Sequence, residues 1–551
     1  MNFKSFTLFV AIMLLALTAC QAIEELEAAE PTFEAALETA VAEDFASETA
    51  AADGGPITAF VNVNVIPMTE EVVFENQTVL VENGKIAAIA HADSLTPPPG
   101  ARIIEGNGAY LMPGLADMHF HFFLDPDPDF MRLPLAEGVT TVRNLSALPE
   151  HFTWKNEVNN GERIGPTIYT SGRMIVGPPD QSFYIIFWAF IVGGLLVVGL
   201  VLLLGLWLSR HLRGQTKKIE WKSVLKATVV LISIGAIIIV TKVIPINIYT
   251  SQLYPFAYVP DTVGRARAEV QRQAEYGYDF IKVYDWMTRD QFLGVIDEAK
   301  KQGIYIVGHL DHGIKAPLAE GLQEVVHVDE FMDEHLSEEI SPRDFKPVQL
   351  NYKNIPQTVK YAVENDVMVV SNMVTDVITY EYLEEGPAYY ERPKYDVLRP
   401  TIIEGWLKTR MISWQGQQEW RRNILQPFYK EMIKSLHAAG VPILIGTDTG
   451  VEGNVPSDIH RDLELLVEAG LSPYEALEAG TKNAGISVGR MGKDGSFGTV
   501  EVGQLANLIL LEQNPLGNVS HTRNRVGVMA RGQWFTQTEL DRLVDEYLAT
   551  Y

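Results

Sequence analysis

The stretch MPGLADMHFHF at residues 112–122 decides the fold. A short apolar run ends in His119 and His121, two residues apart. Side chains alternate along a strand with a period of two, so both imidazoles leave from one face. Seven more apolar runs follow: VTTVRNL (139–145), PTIYTSGRMI (166–175), YDFIKVYD (278–285), GIYIVGHL (303–310), EVVHVDEF (324–331), VMVVSNMV (367–374) and VPILIGTD (441–448). Amphipathic stretches such as 261–276, 289–302 and 459–469 lie between them. Strand–helix alternation of this kind predicts an α/β protein with a parallel sheet. Eight strand units predict a (β/α)8 TIM-like barrel over 112–181 and 251–493.

Strand-like pieces also flank the barrel. ITAFVNVNVIPM, EVVFENQTVLVENGKIAAIA and ARIIEG precede it, and FGTVEVGQLANLILL and RVGVMARGQWF follow. They predict a small flanking β-sandwich domain at 57–111 and 494–536, closed by both parts of the chain. Of the 551 residues, 47% are hydrophobic and 10% aromatic, which excludes a disordered chain. The formal net charge of −26 argues against nucleic acid as a partner. A single cysteine excludes a disulfide framework and a cysteine-only zinc finger.

The remaining segments read as address and anchor. Residues 1–20 carry Lys4, an apolar run and LTAC ending at Cys20, which resembles a lipoprotein-type signal peptide. Residues 21–56 hold eight Glu and two Asp with no Lys or Arg, and read as an acidic disordered tether. Residues 182–209 contain no charged residue, and 224–246 keep Lys226 and Lys242 near the ends. Both are expected to cross a bilayer, as a transmembrane helical hairpin at 182–250 inserted after the third barrel strand. The basic stretch between them, 210–222, is then cytoplasmic. The expected location is a bacterial cell membrane, with the catalytic domain outside the cytoplasm and the lipid bilayer as a partner. Because loops after barrel strands lie on the catalytic face, an amphipathic or lipid-linked substrate is also expected.

The chemistry-bearing residues fall at strand ends. His309 and His327 close the fifth and sixth runs, Asp448 the eighth, and Lys282 sits between apolar neighbours in the fourth. Neutral imidazoles with a carboxylate suit a borderline cation such as zinc. Each residue also has a plainer reading. A histidine there also reads as a satisfied polar group, Asp448 as a turn former, and Lys282 as a partner of Asp279 or Asp285. His312, beyond the strand end, is an alternative ligand ranked below His309, His460 reads as a capping or pocket residue, and Tyr284 and Asp285 are expected to line the mouth. The tyrosine-rich stretch 376–410, with Tyr380, Tyr382, Tyr389, Tyr390 and Tyr395, reads as packing or as a lid.

These motifs, with LAEGVTTVRNL, HRDLELLVEAGLSPYEALEAGTKNAG and FGTVEVGQLANLILLEQNPL, resemble the amidohydrolase superfamily in its imidazolonepropionase and prolidase-like branch. The resemblance covers about residues 57–532 outside the insertion. It implies a distorted barrel with one or two divalent ions, Zn by expectation, held by His119, His121, Lys282, His309, His327 and Asp448. It implies a carboxylated Lys282 bridging two ions, and Asp448 as both ligand and catalytic proton shuttle. Asn144, Gln504 and Asn507 depart from the family pattern, outside that set. The implied activity is hydrolysis of an amide or cyclic amide C–N bond by metal-activated hydroxide on a small-molecule or lipid-like substrate. An esterase, lactonase or dipeptidase on the same site is an alternative, as is an idle barrel serving as membrane receptor or scaffold. Oligomeric state is open, with a homo-oligomer allowed.

Overall fold

The computed structural model describes residues 57–122, 127–177, 256–310, 313–336, 350–403, 416–450 and 453–550. Eight short parallel strands form the barrel: β1 (Leu115–Phe120), β2 (Val139–Asn144), β3 (Thr167–Thr170), β4 (Phe280–Val283), β5 (Tyr305–Gly308), β6 (Glu324–Val325), β7 (Met368–Val370) and β8 (Ile443–Leu444). Every strand residue is buried, as expected where helices cover the outside and side chains fill the inside. The ladder runs β1–β2–β3 and β4 through β8. Parallel bridges Ser171–Phe280 and Phe120–Thr449 join the two arcs, and the Met118 amide donates to the Ile445 carbonyl at 3.0 Å. The sheet thereby closes.

Local sequence explains the helices. α1 (Val263–Glu275) begins at Thr262, whose hydroxyl accepts from the Arg265 amide. α2 (Arg289–Gln302) opens with a reciprocal cap between Thr288 and Gln291 and stops at Gly303, which adopts a left-handed φ of 66°. α3 (Met373–Glu385) and α4 (Gln426–Ala438) follow β7 and precede β8. α5 (Ile459–Glu468) and α6 (Lys482–Arg490) follow β8. The closing helix, α7 (Gln537–Leu548), is capped by Thr536 and Glu539 and buries Tyr547 against Phe130.

Inside the barrel, Arg143 of β2 and Glu324 of β6 form an ion pair with both side chains fully buried. Arg143 also donates to the Met118 carbonyl at 2.8 Å and to Ser487 at 3.2 Å. The flanking domain differs from the expected sandwich. It is one mixed eight-stranded sheet, in which Leu508–Leu511 pairs antiparallel with Tyr110–Pro113 and so joins the two parts of the chain. The sheet packs over its own core of Phe60, Val79, Leu111, Leu508 and Trp534.

The membrane placement expected from the sequence does not stand. Among the described residues no helix is long and apolar enough to cross a membrane. The 14-residue α2 spans about 21 Å, against ~30 Å of hydrocarbon. The expected leader at 1–20, tether at 21–56 and hairpin at 182–250 lie outside the described residues. On either side of residues 178–255, the strands Met174–Ile175 and Ala257–Tyr258 pair in parallel, and Ile175 pairs with Val283 of β4.

Candidate metal centre

β1 aims His119 and His121 at the C-terminal mouth of the barrel. His119 Nε2 lies 3.2 Å from His121 Nε2. Asp448 Oδ1 lies 3.2 Å from the first and 3.1 Å from the second. All three side chains are buried. These separations test whether a cation fits. Donors ~2.0–2.1 Å from a zinc ion occupy tetrahedron corners ~3.3 Å apart. The observed triangle has nearly that edge.

The protonation chemistry agrees. Burial pushes His119 down to about 4, outweighing the opposing pull of Asp448, and pushes His121 down as well. Both imidazoles therefore keep a lone pair at neutral pH. His119 Nδ1 lies 3.1 Å from the Val326 carbonyl, so it carries the proton and Nε2 is left to coordinate. Burial opposes charge on Asp448, yet His119 and His121 hold its carboxyl well below the usual range.

Backbone strain serves the same point. Asp448 stands at a φ of 53°, uncommon for a residue with a side chain, and its amide donates to the His119 carbonyl at 2.7 Å. Gly446, two residues earlier, lets β8 approach β1. A Cβ there would lie 2.5 Å from the His119 Cβ.

Lys282 is buried, and its Nζ has no hydrogen-bond partner among the described residues. Burial lowers it to about 7 in spite of Glu330, Asp448 and Asp285. The pairing with Asp279 left open by the sequence is excluded. Asp279 instead binds Lys155 at 2.9 Å and Lys493 at 3.1 Å. Tyr284 stacks beside His309, with centroids 4.2 Å apart, and lies under Lys282.

His327 bridges the cluster. Its ring centroid is 4.4 Å from that of His119 and 5.1 Å from that of His309. Burial, then His119 and His309, hold His327 well below its ordinary value. Its Nδ1 lies 2.6 Å from Asn372 Nδ2, and Asn372 in turn accepts from Thr375 at 2.7 Å. His309 turns Nδ1 toward Glu330 (2.8 Å) and Asp285 (3.0 Å). Burial disfavours its charge, yet Glu330 and Asp285 raise it to about 10.

All six expected residues thus meet at one mouth. Glu330, Asn372 and Gly446 were not singled out from the sequence. Glu330 lies three residues beyond His327, a spacing that marks no strand face, and only the short 3-10 helix Val328–His335 returns it to His309. His312 lies outside the described residues. His460 is neither cap nor pocket residue. It is fully buried between Thr522 (2.8 Å) and Glu137 (3.3 Å), joining the barrel to the flanking sheet. Tyr389, Tyr390 and Tyr395 pack on one another with centroids 5.0–5.8 Å apart, which is core packing. Residues 404–410 of the expected lid lie outside the described residues.

Residues 284–535 match the amidohydrolase family. The amidohydrolase match contains His309, His327 and Asp448, while His119, His121 and Lys282 precede it. The chain is 40% identical over 82 residues to ochratoxinase from Aspergillus niger, covering 15% of this chain and 16% of that protein. It is 36% identical over 63 residues to imidazolonepropionase from Idiomarina loihiensis, covering 11% and 15%. The alignments therefore span about a sixth of the length of these curated relatives. A putative prolidase from Bifidobacterium longum has the same fold, with 20% identity, a TM-score of 0.56, and coverage of 89% of this chain and 99% of that one.

Proposed function

We propose that this protein is a metal-dependent hydrolase acting on the C–N bond of a small-molecule amide or peptide. The observation that carries this reading is the His119–His121–Asp448 triangle, whose edges suit a divalent ion. The amidohydrolase-family match supports a hydrolase acting on carbon–nitrogen bonds. The names of its relatives, ochratoxinase, imidazolonepropionase and prolidase, point the same way.

His119, His121 and Asp448 would hold one ion, with zinc the expected species for this donor set. His309, His327 and Lys282 would hold a second, once His309 gives up the proton that Glu330 and Asp285 favour on it. A bound ion supplies Lewis acidity toward a carbonyl oxygen and lowers the pKa of water to ≈ 7. The chain supplies the proton relay. Asp448 stays ionised at neutral pH, so it can take a proton from the attacking water and hand it to the leaving amine. Lys282, held near neutrality by burial, can add CO2 as a free amine. Its nitrogen bonds the carbon, one N–H proton leaves to solvent, and an anionic carbamate remains. That carbamate would turn an amine that repels cations into a ligand.

Full-length protein treated with a chelator should lose hydrolysis of N-acyl amino acids and Xaa-Pro dipeptides. Added Zn2+ or Mn2+ should restore it. His119→Asn should abolish both metal retention and turnover with the fold intact. Turnover unaffected by chelation in a demonstrably metal-free sample would sink the proposal.

A further inference from the structure

Among the described residues, ten that are not glycine hold a positive φ, and seven of these are Asn or Asp, which tolerate it. Of the other three, Met68 is fully buried, and Arg531 donates to the Gly165 carbonyl at 3.1 Å. The third is Trp286, at a φ of 69° with 38% of its surface exposed. A bulky residue in the left-handed region costs stability that glycine at the same place would not. An indole this exposed recovers little of that cost through burial. Strain kept without a stabilising return points to a task for the side chain.

The position says which task. Trp286 lies three residues beyond β4, in a loop on the catalytic face of the barrel. Rings stand in series from the His119–His121–Asp448 triangle to this residue. Centroids are 4.4 Å apart from His119 to His327, 5.1 Å from His327 to His309, 4.2 Å from His309 to Tyr284 and 6.3 Å from Tyr284 to Trp286. Trp286 is the outermost of them. The main chain beneath it is held on both sides. The Tyr284 amide donates to the Ile175 carbonyl and the Gly177 amide to the Asp285 carbonyl, each at 2.9 Å. A Cβ on Gly177 would overlap the Trp286 carbonyl, so glycine there lets the two segments close. Met287 is buried, and Thr288 caps α2. The indole therefore stands on a fixed platform. Its plane crosses that of Tyr284 at 74°. A flat ring laid on the indole stands nearly edge-on to Tyr284, so stacked and edge-to-face contacts, the two that aromatic rings prefer, are both on offer.

We propose that Trp286 is a specificity-determining residue, which stacks on an aryl group of the substrate while the scissile amide reaches the metal triangle. The inference rests on the metal-dependent reading above and adds a substrate class to it, the aryl-bearing amides. Trp286 belongs to no part of the donor set, and its role is to bind.

The test follows the indole itself. Full-length protein is labelled with 5-fluorotryptophan, and the Trp286 resonance is identified by its loss in Trp286→Gly. The probes are N-(2-naphthoyl)glycine, with the ring on the acyl side, N-acetyl-2-naphthylamine, with the ring on the amine side, and N-acetylglycine, with none. Spectra are taken on zinc-loaded protein and again after chelation, where no turnover blurs them. The Trp286 resonance should shift with at least one naphthyl amide and stay put with N-acetylglycine at equal concentration. For that naphthyl amide, kcat/KM relative to N-acetylglycine should fall at least tenfold in Trp286→Gly, mainly through KM, and Trp286→Phe should restore most of it. Because glycine suits a positive φ, Trp286→Gly should match or exceed the wild-type Tm, which separates lost binding from lost fold. Should it fail to fold, Trp286→Asn takes its place. A resonance unmoved by either naphthyl amide, or an unchanged preference in Trp286→Gly, would overturn the inference and leave the proposed function standing. A resonance that shifts as expected, with no amide hydrolysed by zinc-loaded protein, would support aryl binding and overturn the proposed function alone.

Discussion

Gly446→Ala isolates the contact that sets the metal triangle. Its new Cβ would meet the His119 Cβ at 2.5 Å, the His119 nitrogen at 2.8 Å and Val370 Cγ1 at 2.8 Å. Two carbons prefer about 3.5–4.0 Å, so β1 and β8 must part by roughly 1 Å. Overpacking of this size costs about 1–3 kcal/mol of stability, a loss of a few °C in Tm. The same displacement moves His119 relative to Asp448. Misplacement by about 1 Å costs on the order of 100-fold in rate, or about 3 kcal/mol of barrier. The assay measures kcat/KM on an N-acyl amino acid, metal retention after dialysis, and Tm in parallel. Gly489→Ala is the control. It lies in α6 with nothing within 4 Å of the added carbon, and it should raise stability by about 0.5–1 kcal/mol with activity unchanged. A Gly446→Ala protein that keeps wild-type kcat/KM and its metal would refute the argument that close approach of β1 and β8 builds the centre.

Glu324→Gln should destabilise the fold by about 3–5 kcal/mol in urea unfolding, because it strands the buried Arg143 charge. Pairing it with Arg143→Met should recover most of that loss, and no recovery would show that the pair is not the cause. His460 is held by burial at about 4 in the fold, against 6.5 when free. A neutral histidine favoured by folding contributes stability above pH 6.5 that is lost as pH falls toward 4, by about 3 kcal/mol in full. His460→Asn should flatten the stability profile across that window. Equal slopes in the two proteins would exclude the linkage. Lys282→Met should abolish turnover and lower metal retention. Intact-mass analysis of wild type under bicarbonate should find one added CO2 that the variant lacks.

The eight barrel strands, and the places of the six expected residues along them, were legible because strand ends carry a local code. Apolar runs of four to eight residues stop at His119, His309, His327 and Asp448, and a two-residue period puts His119 and His121 on one face. The Lys282 environment was readable for the same reason, since its neighbours Phe280, Ile281 and Val283 are those of a buried strand. The flanking domain was legible as strands but not as one sheet, because pairing of Leu508–Leu511 with Tyr110–Pro113 joins segments nearly 400 residues apart. The membrane reading rested on the apolar runs at 182–209 and 224–246, the basic stretch between them and the leader, all outside the described residues, and among the described residues no helix is long and apolar enough to cross a membrane.

By itself, the order of residues determined which side chains carry donor atoms and on which strands they ride. Both follow from side-chain chemistry and from periods of two and 3.6 residues. Only the tertiary structure decided their grouping. Asp285 and Glu330 converge on His309, Asn372 faces His327, and Gly446 lets His119 meet Asp448, because barrel closure brings loops from different strands to one rim. Those distances depend on how the strands stack in space, and no local period encodes that.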